Sequence, residues 1–168
     1  MAVIRVSHEL SCSQERFWTL YSDPEFQAAM LEEGLGYERP DFLKVQDQGA
    51  VRIWEAVVSP SLDLPPAVAK LLGGSMSYTE TARIDRDAAT MELRHITRAL
   101  GDKLSLTGKI HTTPRGDQGL TRHSLFEVNA KVFGVGRMLE RTVEDSIRQS
   151  LDATARFVEA RHDTLDRG

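Results

Sequence analysis

The stretch from Phe133 to Arg161 limits the possible folds more than any other part of the chain. It contains no proline, and its only glycines, Gly134 and Gly136, lie at its start. At about 100° per residue it sorts into two faces. Arg141, Glu144, Asp145, Arg148, Gln149, Asp152, Arg156 and Glu159 share one side. Met138, Leu139, Val143, Ile147, Leu151, Phe157 and Val158 share the other. A helix this long with so broad an apolar arc needs an equally long surface to cover it. The centre of that arc holds Ser146 and Ser150, flanked by Thr142 and Thr154. Small hydroxyls leave space there, as the wall of a cavity requires. The alternative is an ordinary core in which each hydroxyl bonds back to the carbonyl one turn earlier. Four such residues at helical spacing favour the cavity.

The covering surface comes from the strands. Ala2 to Leu10 alternates, with Ile4, Val6, His8 and Leu10 on one side. Ser11 and Gln14 then have capping-box spacing before a helix that buries Phe17, Trp18, Leu20 and Tyr21 and stops at Ser22, ahead of Pro24. A second helix runs from Pro24 to Glu33 and ends at Gly34 and Gly36. Alternating segments follow at Tyr37–Gln46, Ala50–Val58, Ser75–Asp85, Thr90–Arg98, Leu104–Thr113 and Leu120–Lys131, the first two joined by a turn at Asp47-Gln48-Gly49. The expectation is an α+β fold of order β-α-α-β6-α. A curved antiparallel sheet of about seven strands wraps the last helix, with residues 1–162 as one domain and 163–168 as a frayed tail. Ser59 to Gly74 interrupts the strands with a short helix at Pro66–Leu72, where a hairpin turn would suffice. Insertions of that length often act as lids or packing caps.

Composition excludes several function classes. The net charge of −4 is unlike the basic footprint of a nucleic-acid binder. One cysteine, Cys12, permits neither an intrachain disulfide nor a thiolate metal cluster. The first ten residues are too short and too charged for a signal core, and no apolar run approaches a membrane span. The default reading is therefore a cytoplasmic protein.

No catalytic motif stands out: there is no nucleophile elbow, no phosphate loop and no metal-spaced Cys or His pair. His111 and His123 flank a hairpin and read as solvated sheet residues. Alternation turns Met91, Leu93, His95 and Thr97 to one face of their strand, and Met76, Tyr78, Glu80, Ala82 and Ile84 to one face of the preceding strand. Tyr78, Glu80 and His95 then share an inner surface. There they satisfy one another, orient the polar end of a ligand, or do acid–base work as a Glu–His pair. Leu104, Leu106, Gly108 and Ile110 share a face, and Gly108 leaves room for a bend or a ligand. Lys70, Lys131 and Arg137 are the cations available for transient contact with an anionic membrane surface.

Ser11, Glu15, Arg16, Phe17-Trp18, Leu20 and Asp23-Pro24 resemble the first helices of the START-like helix-grip superfamily, which includes the birch-pollen allergens and polyketide cyclases. The resemblance extends over nearly the whole chain. From Leu64-Pro65 onward the chain is also similar to PRELI-like lipid-transfer domains and to bacterial relatives of unknown function. Leu71-Leu72-Gly73, Tyr78, Glu80, Asp85, Thr90-Met91, Arg94, Ile96-Thr97 and Phe133-Gly134-Val135-Gly136-Arg137 carry that likeness. His95 departs from it, standing where that group tends to carry Asn. The resemblance implies a hydrophobic cavity under the last helix, holding an apolar or amphipathic small molecule or a lipid.

The expected ligand-binding set is Trp54, Tyr78, Glu80, Leu93, His95, Leu106, Ile110, Phe126, Val128, Leu139, Val143, Ser146, Ser150 and Phe157. No catalytic residue, metal or cofactor is assigned, and the oligomeric state is left open. The alternatives are a cyclase- or hydratase-like enzyme using Glu80 and His95, and an interaction module with a solid core.

Overall fold

Ladder pairing of the alternating segments produces a seven-stranded antiparallel sheet of order β1-β7-β6-β5-β4-β3-β2. The computed structural model describes residues 1–61 and 63–164. Its strands are β1 (Ala2–Leu10), β2 (Asp41–Gln48), β3 (Val51–Val58), β4 (Tyr78–Asp85), β5 (Thr90–Thr97), β6 (Leu104–Pro114) and β7 (Leu120–Ala130). Its helices are α1 (Gln14–Tyr21), α2 (Pro24–Ala29), α3 (Pro66–Leu71) and α4 (Gly136–Arg161). Strictly alternating burial along β6 and β7 gives the sheet one dry face, and α4 packs there, chiefly against β1 and β7. This is the α+β helix-grip architecture expected from the sequence. Among the described residues no helix is long and apolar enough to cross a membrane.

Local chemistry sets the element ends, and several differ from expectation. The cap of α1 is Ser13, whose hydroxyl accepts from Arg16 N at 3.1 Å; Ser11 lies outside and gives its N–H to Glu159. Asp23 caps α2 with Pro24 in the first turn, as the sequence suggests. The second helix stops being α-helical at Ala29 and continues as a π-turn, Met30–Gly34. Gly34, at its end, lies against α4, where a Cβ would come within 3.3 Å of the Phe157 ring. Strand β2 begins at Asp41, after Pro40, because Tyr37 N is taken by Leu31 O and Glu38 N by Ser59 O. Strand β4 begins at Tyr78, since Ser75 Oγ folds back onto Ser77 N. The β2–β3 turn centres on Gly49 (φ +67°) and Ala50, not on Asp47. Helix α4 starts at Gly136: Gly134 adopts φ +82°, and Phe133 projects fully into solvent. Met138, assigned to the apolar arc, is 45% exposed one turn from that end.

The insertion is anchored. Val68 and Leu72 are buried within the main core, and Leu64 and Leu71 pack against it. The expected frayed tail falls largely outside the described residues.

Gly108 has a different role from the two expected. It sits mid-β6 opposite Phe126 and Leu93, and a Cβ there would lie 2.4 Å from Phe126 Cε1 and 2.9 Å from Leu93 Cδ1. The vacated space is filled by the Phe126 ring. Gly108→Ala should therefore cost about 1–3 kcal/mol through overpacking, measured by urea denaturation.

Candidate functional site

Alternation places the inward side chains of β4 and β5 opposite α4, and a partly open cavity of about 150 Å³ separates the two layers. The sheet contributes Met91, Leu93, Leu104, Leu106, Ile110 and Phe126 to its wall, with Met76 just ahead of β4. Helix α4 contributes Val143, Ser146, Ile147, Ser150, Leu151 and Thr154. Tyr21 and Gln27 come from the first helices, Leu31, Leu35 and Tyr37 from the π-turn and the chain after it, and Pro60 from the insertion.

Four polar side chains form one corner of this wall. Register pairs Tyr78 with Thr97 and Glu80 with His95. Glu80 Oε2 accepts from His95 Nε2 at 2.7 Å, and its Oε1 accepts from Trp54 Nε1 at 3.0 Å. The Tyr78 ring stacks on His95, centroids 4.0 Å apart and planes 20° from parallel. Burial pushes the Glu80 carboxyl up, but the hydrogen bonds from His95 and Trp54 and the charge of His95 outweigh it, leaving the group below its ordinary value. Desolvation, with Glu80 and Tyr37 nearby, drives the Tyr78 phenol well above its ordinary value. Both shifts keep this corner as a carboxylate beside a neutral phenol.

Ten of the fourteen residues read from the sequence line the cavity: Tyr78, Glu80, Leu93, His95, Leu106, Ile110, Phe126, Val143, Ser146 and Ser150. The other four do not reach it. Trp54 is 2% exposed and stands behind Glu80 as its donor. Val128 and Leu139 are fully buried in the core. Phe157 packs on Phe26, with centroids 5.5 Å apart.

The four hydroxyls of α4 divide. Thr142 bonds back to Met138 O at 2.9 Å, the ordinary-core behaviour. Thr154 bonds to Leu151 O and also accepts from Arg122. Ser150 shares a 3.3 Å bond with Tyr37, while Ser146 faces the cavity.

Sequence reasoning missed Arg122, which is 0% exposed on the inward face of β7. Its Nη1 donates to Thr154 Oγ1 (3.0 Å) and Tyr21 Oη (3.3 Å), and its Nη2 to Leu151 O (2.7 Å) and His8 Nδ1 (3.1 Å). His8 Nε2 then donates to Asp152 at 2.7 Å. The buried cation reaches a surface carboxylate through a neutral imidazole whose tautomer this network dictates. The signal was available: a charged residue in phase with Leu120, Phe126 and Val128 needs buried partners.

The other candidates stand apart from the cavity. His111 and His123 are directly paired, with rings stacked 4.6 Å apart, and His123 is held by Ser7 and Thr113. Desolvation first, then His123 and Lys109, lowers the pKa of His111. Among the described residues no cluster has the makings of a metal site. Lys70, Lys131 and Arg137 do not line the cavity. Cys12 is buried, its thiol pushed up to about 11.

Solved structures share this fold at low identity. TTHA0849 from Thermus thermophilus superposes with a TM-score of 0.67 at 14% identity, covering 95% of this chain and 98% of that one. The ZhuI aromatase/cyclase from a Streptomyces species gives 0.65 at 13% identity, covering 95% and 94%. Norcoclaurine synthase from Thalictrum flavum, in complex with dopamine and hydroxybenzaldehyde, gives 0.60 at 20%, covering 95% and 87%. No curated protein matches the chain by sequence. Residues 5–161 match the family described as Protein of unknown function (DUF2505), and the chain belongs to that family.

Proposed function

We propose that the protein binds a small, predominantly apolar molecule in the cavity between the sheet and α4. One observation carries this reading: about 150 Å³ of unfilled space between the sheet and α4, walled mainly by Leu, Ile, Met, Phe and Val side chains, with Tyr78, Glu80, His95 and Thr97 together on the sheet side. A space of about that size is large enough for a benzene-sized guest. The helix-grip relatives support the reading, since one is an aromatase/cyclase and another was solved with dopamine and hydroxybenzaldehyde. A cytoplasmic setting is part of the proposal.

Native mass spectrometry of freshly purified protein, with solvent extraction of any bound molecule, is the direct test. Displacement of an environment-sensitive apolar dye is the second. A protein that carries nothing and retains no dye would refute the proposal. Ser146→Leu gives a sharper check, because Ser146 faces the cavity while Ser150 is tied to Tyr37. Filling the space should hold stability or raise it by about 0.5–2 kcal/mol while dye binding is lost. A fall in stability by overpacking would mean that the space is not there.

The 2.7 Å contact between Glu80 and His95 at the cavity wall favours a second reading, acid–base catalysis on the bound molecule. Glu80 would orient the imidazole and His95 Nδ1 would move the proton. Deuterium exchange into small ketones, followed by NMR, tests it. Exchange that His95→Gln fails to slow rules out this role.

A further inference from the structure

The polar corner also bears on what kind of molecule can fill the cavity; this step rests on the binding proposal above. Among the described residues that line the space there is no lysine or arginine. Its acid, Glu80, and its histidine, His95, are spent on each other, and each Glu80 oxygen already accepts a hydrogen bond. An entering carboxylate or phosphate would meet the Glu80 carboxylate with no free cation to receive it, since His95 is already engaged by Glu80. An ammonium group would have to compete with His95 and Trp54 for a carboxylate they already hold.

What the wall offers instead is hydroxyls. Thr97 lines the cavity at 6% exposure, and its Oγ1 is buried without a hydrogen-bond partner. A buried hydroxyl left unpaired is unfavourable, and an incoming group that bonds to it removes the penalty. Thr97 stands in the cavity wall, where such a group would reach it. Its cross-strand neighbour Tyr78 lies flat on His95 beside it, and no bond engages the phenol hydroxyl among the described residues.

The geometry points to a ligand with a neutral oxygen function, a hydroxyl or a carbonyl, docked on Thr97 Oγ1, on an apolar body of about one substituted ring. Fatty acids and phospholipids are thereby disfavoured: their charged heads find no counter-charge in the cavity.

Three probes of one size separate the cases: toluene, p-cresol and p-toluate, titrated into nitrogen-15-labelled protein and followed by chemical shift. p-Cresol should bind about tenfold tighter than toluene, the worth of one net hydrogen bond, and p-toluate more weakly than toluene. In Thr97→Val the advantage of p-cresol should vanish with toluene affinity kept. In Thr97→Ser it should persist. Should toluene bind without p-cresol gaining, should p-toluate bind best, or should Thr97→Val keep the advantage, the neutral-oxygen assignment falls while the cavity proposal stands. If none of the three probes binds, both fall.

Discussion

Arg122→Ala is expected to lower the unfolding free energy by about 2–5 kcal/mol, read from urea denaturation with an unchanged m-value. Two losses combine. Truncating a fully buried side chain leaves a void under α4. It also removes the hydrogen bonds that Leu151 O, Tyr21 Oη, Thr154 Oγ1 and His8 Nδ1 now receive from its guanidinium, leaving Leu151 O and Thr154 Oγ1 the bond between them. Arg122→Met separates the two effects, since it restores most of the volume and none of the donors. Recovery of about half the loss would assign the remainder to hydrogen bonding. A loss below about 1 kcal/mol in the alanine variant would be that of an ordinary surface change, and the network would not be what holds α4 to β7.

Glu80→Ala should cost about 3 kcal/mol, the low end for removing one member of a buried pair, because it strips both His95 and Trp54 of their acceptor. The pair also sets an acid limb. The folded carboxyl lies below its ordinary value of 4.5. Its contribution to stability is complete above that value and disappears as pH falls through the depressed folded one. Urea midpoints from neutral pH down to about 3 should thus fall for the native protein and fall less for Glu80→Gln. Parallel curves for the two proteins would mean that Glu80 is not the group being protonated.

Period-2 reasoning was enough to place Tyr78, Glu80 and His95 on one face, because alternation fixes which residues share a side once two strands are neighbours. It took the helical period to separate Ser146 from the charged face of α4. That period could not choose between Thr142, which bonds back along its helix, and Ser146, which faces open space, because one turn apart they share a face. Trp54 was grouped with the cavity because its strand parity is right; the sheet instead sets it behind Glu80, one strand further out. Phe126 and Gly108 are legible only together, since the glycine makes sense once the register places the ring across from it. Leu31, Leu35 and Tyr37 reached the wall through a π-turn that helical periodicity does not announce. The cavity volume is a remainder left by all these placements, and no local pattern encodes it.

The pairing of β1 with β7 has a kinetic consequence. The two strands lie at opposite ends of the sequence, with Ser7 bonded to His123 across 116 residues. β1 therefore has no sheet neighbour until β7 has emerged, and α4, which leans on both, can dock only after they meet. Closing a loop that long adds entropy to the folding barrier, and antiparallel folds dominated by such distant contacts fold in roughly milliseconds to seconds. Until then β1 presents an alternating edge with free backbone groups, open to mispairing with another chain.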